Sequence, residues 1–193
     1  MTIEEFQCIM PIRNIPSVMQ HGIVSHDLAE RLDHESVALE DVQAKRAGKQ
    51  IPGGGKLHSY ANIYFHARNP MMSRRRGEAE ELCVLRIRPD ILKIAGTIVT
   101  DQNAASNYVK FLPPAAIKSL NLNYIYAADW KHLDDQIAEW RHSSAKCAEV
   151  LVPDRVPISF LTGAYVVSDS VREKLRGVGF NLPISVAPSL FFC

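Results

Sequence analysis

The stretch that most constrains this chain is Lys146–Pro157, KCAEVLVPDRVP. Val150-Leu151-Val152 is an unbroken apolar run ending in a Pro153-Asp154 turn, the pattern of a strand covered on both faces. Glu149 stands at the mouth of that strand. Burying a carboxylate is costly unless something there needs it. Glu149 is therefore either a solvated strand end, as most charged residues at element ends are, or a functional acid. The local pattern leaves both open.

Length and composition narrow the class. A chain of 193 residues suits one domain, residues 1–193, with a core that needs no staples. Hydrophobic and charged fractions of 47% and 22% are those of a globular protein. No apolar run approaches the ~20 residues of a membrane span. The opening MTIEEFQC carries acids where a signal peptide carries bases, so a cytoplasmic protein is expected. Cys8, Cys83, Cys147 and Cys193 lack metal-ligand spacing and read as reduced thiols, with no metal site.

The net charge of +1 hides an uneven distribution. Residues 1–43 hold two bases, Arg13 and Arg31, against eight acids; residues 44–93 hold eleven bases against four acids. A basic middle segment is either a solvated surface or the footprint of an anionic partner such as a dinucleotide or nucleic acid.

The rest reads as short strands mixed with short helices. Strands are expected at Phe6–Met10, Ile63–Phe65, Cys83–Ile87, Ile98–Thr100, Ala164–Val167 and Pro183–Val186. Asn14-Ile15-Pro16 supplies a cap and an early proline for a helix that stops at Gly22. Further helices are expected over Val37–Ala47, Ala115–Leu120 and Ser168–Gly177, and Asp101 is a good cap for another. Pro52-Gly53-Gly54-Gly55-Lys56 matches neither GxxxxGK[ST] nor a strand-borne GxGxxG, which disfavours P-loop and Rossmann sites. Its glycines allow close approach to a ligand or the motion of a lid. His58, Tyr60, Tyr64, His66 and Arg68 form the densest polar-aromatic segment, suited to stacking on a base or nicotinamide but equally to a mixture of core and surface. Arg74-Arg75-Arg76 is a solvated loop or a phosphate contact. Trp130 and Trp140 lie in a polar stretch directly before Glu149, where a mobile segment can carry recognition side chains. Without a regular βαβ rhythm, the class is α+β.

Four pieces in order carry a resemblance: Ile12–Gly22 (IRNIPSVMQHG), Val42–Met72 with LHSYANIYFHARNPMM, Val99–Ser106 (VTDQNAAS) and Ala148–Pro157. Together they resemble the DarT toxins, ADP-ribosyltransferases that modify single-stranded DNA. The resemblance implies an ADP-ribosyltransferase-like fold, with a split central β-sheet and flanking helices. It implies transfer of ADP-ribose from NAD to thymine or guanine, with release of nicotinamide. A macrodomain antitoxin that removes the modification is the implied partner. The chain is expected to act as a monomer.

Carried over residue by residue, the family's catalytic glutamate falls on Glu149. Breaking the nicotinamide–ribose bond develops oxocarbenium character, as in glycoside cleavage. A carboxylate beside the ribose stabilises that charge and can take the proton of the attacking base nitrogen. The active-site arginine falls in Ala44-Lys45-Arg46-Ala47. Alignment on Val42-Gln43 points to Lys45, whereas residue type points to Arg46, the choice made on its permanent charge and planar fork. The NAD-contacting strand falls on Cys8, Ile9 and Met10, with Ser17 and Ser25 as further contacts. Cys8 and Pro11 stand where many members have histidine. His58, Tyr64, Arg68 and Arg75 are the candidate contacts to DNA. The competing readings are ADP-ribosylation of RNA or protein, and a nucleic-acid-binding module without catalysis.

Overall fold

The apolar run after Glu149 sets the fold: Val150, Leu151 and Val152 are each fully buried, and sheet surrounds them. The computed structural model describes residues 2–36 and 40–193, and only the backbone of Glu40, Asp41 and Val42. The Glu149 strand is β7, Glu149–Pro153. It lies between β3, Tyr60–Tyr64, and β5, Ile98–Thr100, antiparallel to both. Beyond β5 runs the short β6, Phe111–Leu112.

The other half of the sheet forms around β1, Phe6–Pro11, which is paired along its whole length with β4, Leu82–Ile87. Then follow β9, Leu161–Val166, and β10, Ile184–Val186, the latter parallel to its neighbour. The eight-stranded order is β10-β9-β4-β1-β3-β7-β5-β6. The halves meet at one registered pair, Gln7 with Tyr64. From Cys8 onward β1 pairs with β4 on one side but not with β3 on the other. This is the split.

Helices cover the sheet: α1, Ile15–His21; α2, His26–Ala29; α3, Glu40–Ala47; α4, Pro70–Arg74; α5, Leu122–Tyr126; α6, Gln136–Ala145; and α7, Asp169–Gly177. A two-stranded ribbon joins β2, Ile23–Val24, to β8, Arg155–Val156. Gly22, between α1 and β2, has φ +80°, and a Cβ there would lie 2.3 Å from the Val156 carbonyl oxygen. Only glycine allows that approach. The main core gathers Phe6, Cys8, Ile63, Phe65, Leu85, Val150 and Val152, while Ile9, Tyr64, Met72, Val84 and Phe191 pack in a second cluster.

Some local expectations changed. Of the helix expected over Val37–Ala47, residues 37–39 lie outside the described residues, and the described part is α3, Glu40–Ala47. Ala115–Leu120 is a 3-10 turn, Pro114–Ser119. No helix follows Asp101, which accepts instead from the Lys110 N–H at 2.9 Å. The N–H groups a helix would use are taken: Ala104 donates to the Glu149 carboxylate and Ala105 to the Asn103 side chain. Asn14 does not cap α1 with its side chain. Its amide pairs with the backbone of Glu35, donating to the carbonyl at 2.8 Å and accepting from the N–H at 3.0 Å. The Pro52–Lys56 loop folds back on Ile51 and the Tyr60 hydroxyl, away from the cleft described next. Among the described residues no helix is long and apolar enough to cross a membrane.

Candidate active site

A cleft of about 440 Å³ opens where the sheet splits, within the roughly 300–1,000 Å³ usual for small-molecule sites. From the β1 half come Cys8 to Pro11, then Asn14, Ser17 and Val18. From the other half come Asn62 and Tyr64 of β3, Asn103, and Trp140, Ser143 and Ser144 of α6. His34, Glu35 and Ser36 lie along the segment that Asn14 holds.

At its base is a buried ion pair. Arg46 Nη1 lies 3.1 Å from both carboxylate oxygens of Glu149, with the side chains 8% and 0% exposed. Arg46 is the member that lines the cleft. The carboxylate also accepts from the Ala104 N–H at 2.9 Å. The Glu149 N–H donates to Thr100 Oγ at 2.9 Å, and that hydroxyl donates to the Gln102 carbonyl at 2.7 Å. Such bonds satisfy a buried carboxylate's lone pairs and fix its direction. Tyr64 is the register partner of Glu149 on β3, so the two share a face of the sheet. Burial, then the neighbouring Glu149, raises the Tyr64 phenol well above its ordinary pKa, so it stays neutral.

Lys45 is exposed and Arg46 buried on Glu149. Cys8, Ile9, Met10 and Ser17 all line the cleft. Ser25 is buried beside it, its hydroxyl capping α2 by accepting from the Leu28 N–H. His58 stands one layer back, its ring 4.1 Å from that of His26 and its Nε2 3.1 Å from Gln43 Oε1, both of which line the cleft. Arg68 lies outside the lining and donates to the carbonyls of Ala128 and Ser189. Arg75 pairs with Glu78 at 2.7 Å, and its neighbour Arg74 lines the cleft. The basic middle segment is thus dispersed: Arg86 pairs with Glu5 and Lys93 with Asp90. Among the described residues no group of three or more His, Cys, Asp or Glu is placed to hold a metal ion.

The sequence reading missed Thr100, Asn14 and the Ala104 N–H as supports of the site. A backbone donor leaves no side-chain signature. Thr100 had one: a hydroxyl ending a strand otherwise apolar, directly before a turn.

The family model described as "ssDNA thymidine ADP-ribosyltransferase, DarT" matches residues 8–192. The chain belongs to the DarT family. A DNA ADP-ribosyl transferase-DNA ADP-ribosyl glycohydrolase fusion protein of Thermosipho africanus is 28% identical over 195 residues, covering 97% of this chain and 49% of that protein. The chain therefore spans about half the length of that relative. A DNA ADP-ribosyl transferase of Thermus aquaticus is 25% identical over 187 residues, covering 91% of this chain and 80% of that protein. The structure of Thermus sp. 2.9 DarT in complex with ADP-ribosylated ssDNA shares the fold, with a TM-score of 0.84 at 20% identity, covering 98% of this chain and 96% of that one.

Cys8 and Pro11 both line the cleft. Burial pushes the Cys8 thiol up to about 12. Neither side chain offers the hydrogen bonds of an imidazole. What β1 presents from Cys8 onward is the edge that β3 leaves unpaired, and backbone groups on such an edge can bind an amide regardless of side chain.

Proposed function

We propose that this chain transfers ADP-ribose from NAD to a base of single-stranded DNA. The Glu149–Arg46 pair, buried at the base of a cleft in the split sheet, carries this reading. The unpaired edge at Cys8–Met10 takes the nicotinamide amide, and Ser17 supplies a hydroxyl on the same side. The bond from ribose C1′ to the nicotinamide nitrogen breaks with its electron pair going to nicotinamide, which leaves neutral. The ribose is left with oxocarbenium charge, and a carboxylate close to it lowers the barrier because the charge exists only as the bond breaks. A base nitrogen then bonds to C1′ and gives its proton to Glu149.

Because Arg46 stands between the carboxylate and the cleft, the guanidinium exchanges partners when NAD binds, turning toward substrate oxygens and uncovering Glu149. Tyr64 lies beside the reacting centre on the β3 face, and His58, behind His26, braces that wall. A single-stranded acceptor avoids the cost of flipping a base from a duplex. Thymine is the first expectation, since the family description names thymidine, and guanine is the second. A glycohydrolase antitoxin of the macrodomain type would reverse the modification, as the Thermosipho fusion joins a transferase to a glycohydrolase.

Incubation with labelled NAD and single-stranded DNA, duplex DNA, RNA or casein tests the reading. Label on single-stranded DNA is the expected result. Label confined to RNA or protein would redirect the activity, and label on none of them would overturn it.

A further inference from the structure

Lys146 is fully buried, three residues before Glu149. An ammonium group is placed there only if its donors are met. Its Nζ donates to the carbonyls of Ala127 at 2.6 Å and Ile125 at 3.0 Å, and meets His66 Nδ1 at 3.5 Å. Ile125 and Ala127 lie at the end of α5, where carbonyls lack helical partners. Burial, then the charge of Lys146, holds the His66 imidazole down to about 4, so the ring is neutral and its Nδ1 can accept.

A second cation grips the same turn. Arg68 Nε donates to the Ala128 carbonyl at 3.2 Å, and its guanidinium lies 4.0 Å over the Phe192 ring while Nη1 bonds the Ser189 carbonyl. Two buried or half-buried cations thus take three carbonyls between Ile125 and Ala128. From that turn the chain runs on to α6, which brings Trp140, Ser143 and Ser144 to the cleft. The stretch is also held by His142, which stacks on Tyr124 and meets His132 Nε2 at 3.0 Å, by Trp130 against the Phe192 ring, and by Ser144, whose hydroxyl donates to Gln102 Oε1 at 2.9 Å and whose carbonyl accepts from the Asn103 N–H.

We propose that Lys146, seconded by Arg68, is a positioning residue that fixes the wall from Ala127 to Ala145 and so sets binding of the acceptor strand rather than of NAD. Neither side chain lines the cleft. Displacement at C1′ needs the acceptor nitrogen on the face opposite the departing nicotinamide. With the donor against β1, the acceptor must come past the wall that α6 builds. Loosening this wall misplaces the acceptor and leaves the donor in place. The inference rests on the DNA-transfer reading.

The test compares Lys146→Met, which keeps the stem and loses the charge, with Arg68→Gln and wild type. Each is assayed for NAD hydrolysis without DNA, for transfer to single-stranded DNA, and for hydrogen exchange over residues 127–145. The KM for DNA is expected to rise roughly tenfold to a hundredfold in Lys146→Met, and less in Arg68→Gln, because small misplacements at a reacting centre are costly. The KM for NAD stays unchanged, and exchange over 127–145 quickens. An unchanged KM for DNA in both variants, or an equal loss of hydrolysis and transfer, overturns the proposal. If Lys146→Met fails to fold, Arg68→Gln alone decides. A wild type that labels no DNA refutes the reading on which the inference rests, whereas unchanged exchange in the variants refutes the anchor itself.

Discussion

Arg46 and Glu149, 103 residues apart in the chain, meet through a single guanidinium nitrogen placed 3.1 Å from each carboxylate oxygen. Both side chains are buried, so each neutralises a charge that would otherwise be stranded. Replacing either partner costs far more than the net worth of the pair. Arg46→Ala is expected to lower stability by about 3–5 kcal/mol and to abolish transfer. Lys45→Ala, one residue away and exposed, is expected to stay within about 0.5 kcal/mol of wild type and to keep its activity. Urea denaturation and labelled-NAD transfer on the two variants check this.

Thr100 couples β5 to β7, the Glu149 strand, through one hydroxyl, accepting from the Glu149 N–H and donating to the Gln102 carbonyl. Thr100→Val keeps the shape and leaves both groups without their partner. A loss of about 1–3 kcal/mol follows, the usual penalty for stranded buried polar groups. Transfer falls as well, because the turn that carries the Ala104 N–H to the carboxylate loosens. Thermal unfolding and kcat measured together check it.

His66 gives the fold an acid limit. Its ordinary pKa of 6.5 is lowered to about 4 in the folded chain, so between those values the unfolded chain binds more protons and stability rises with pH. The stabilising contribution is complete above about pH 6.5 and is lost as pH falls toward 4. His66→Gln flattens this limb when unfolding is followed by denaturant titration from pH 4 to 7. A variant with the wild-type slope would contradict the assignment.

The cysteines differ in reactivity. Cys8, Cys83 and Cys147 are buried and Cys193 is exposed, and burial raises all three buried thiols, Cys8 and Cys147 to about 12. Thiolate is the reactive form. Native protein treated with iodoacetamide should therefore take up one adduct, at Cys193, read by intact and peptide mass spectrometry. Adduct on Cys8 would show that the cleft wall opens.

Much of this architecture was legible in the chain. The apolar run after Glu149 is a central strand, paired on its two edges with β3 and β5 and buried on both faces as an unbroken apolar run requires, and Gly22 ends α1 as its position suggests. Ser168 caps α7 by accepting from the Val171 N–H. Polar residues whose partners are remote are less legible. Asn14 has the form of a helix cap, yet its amide serves the backbone of Glu35, 21 residues on. Asp101 has the same form, but the donors of the next turn go to Glu149 and Asn103. Arg68, expected among the contacts to DNA, lies on the Ala128 and Ser189 carbonyls. Local sequence records what a side chain can bond to, and only the tertiary fold determines which competing group reaches it.

The central claim is that the Glu149 carboxylate drives transfer of ADP-ribose to a DNA base. Glu149→Gln tests it most directly, because the amide oxygen can still accept from Arg46 and from the Ala104 N–H while the negative charge is gone. Wild type and variant, each shown to be folded at the assay temperature, are incubated with NAD and single-stranded DNA. The DNA is then digested and the nucleosides are weighed. The account predicts an ADP-ribosylated nucleoside from wild type and a yield lower by roughly a hundredfold or more from the variant, the scale of a lost acid–base and charge-stabilising group. Equal adduct from a folded Glu149→Gln protein would contradict it.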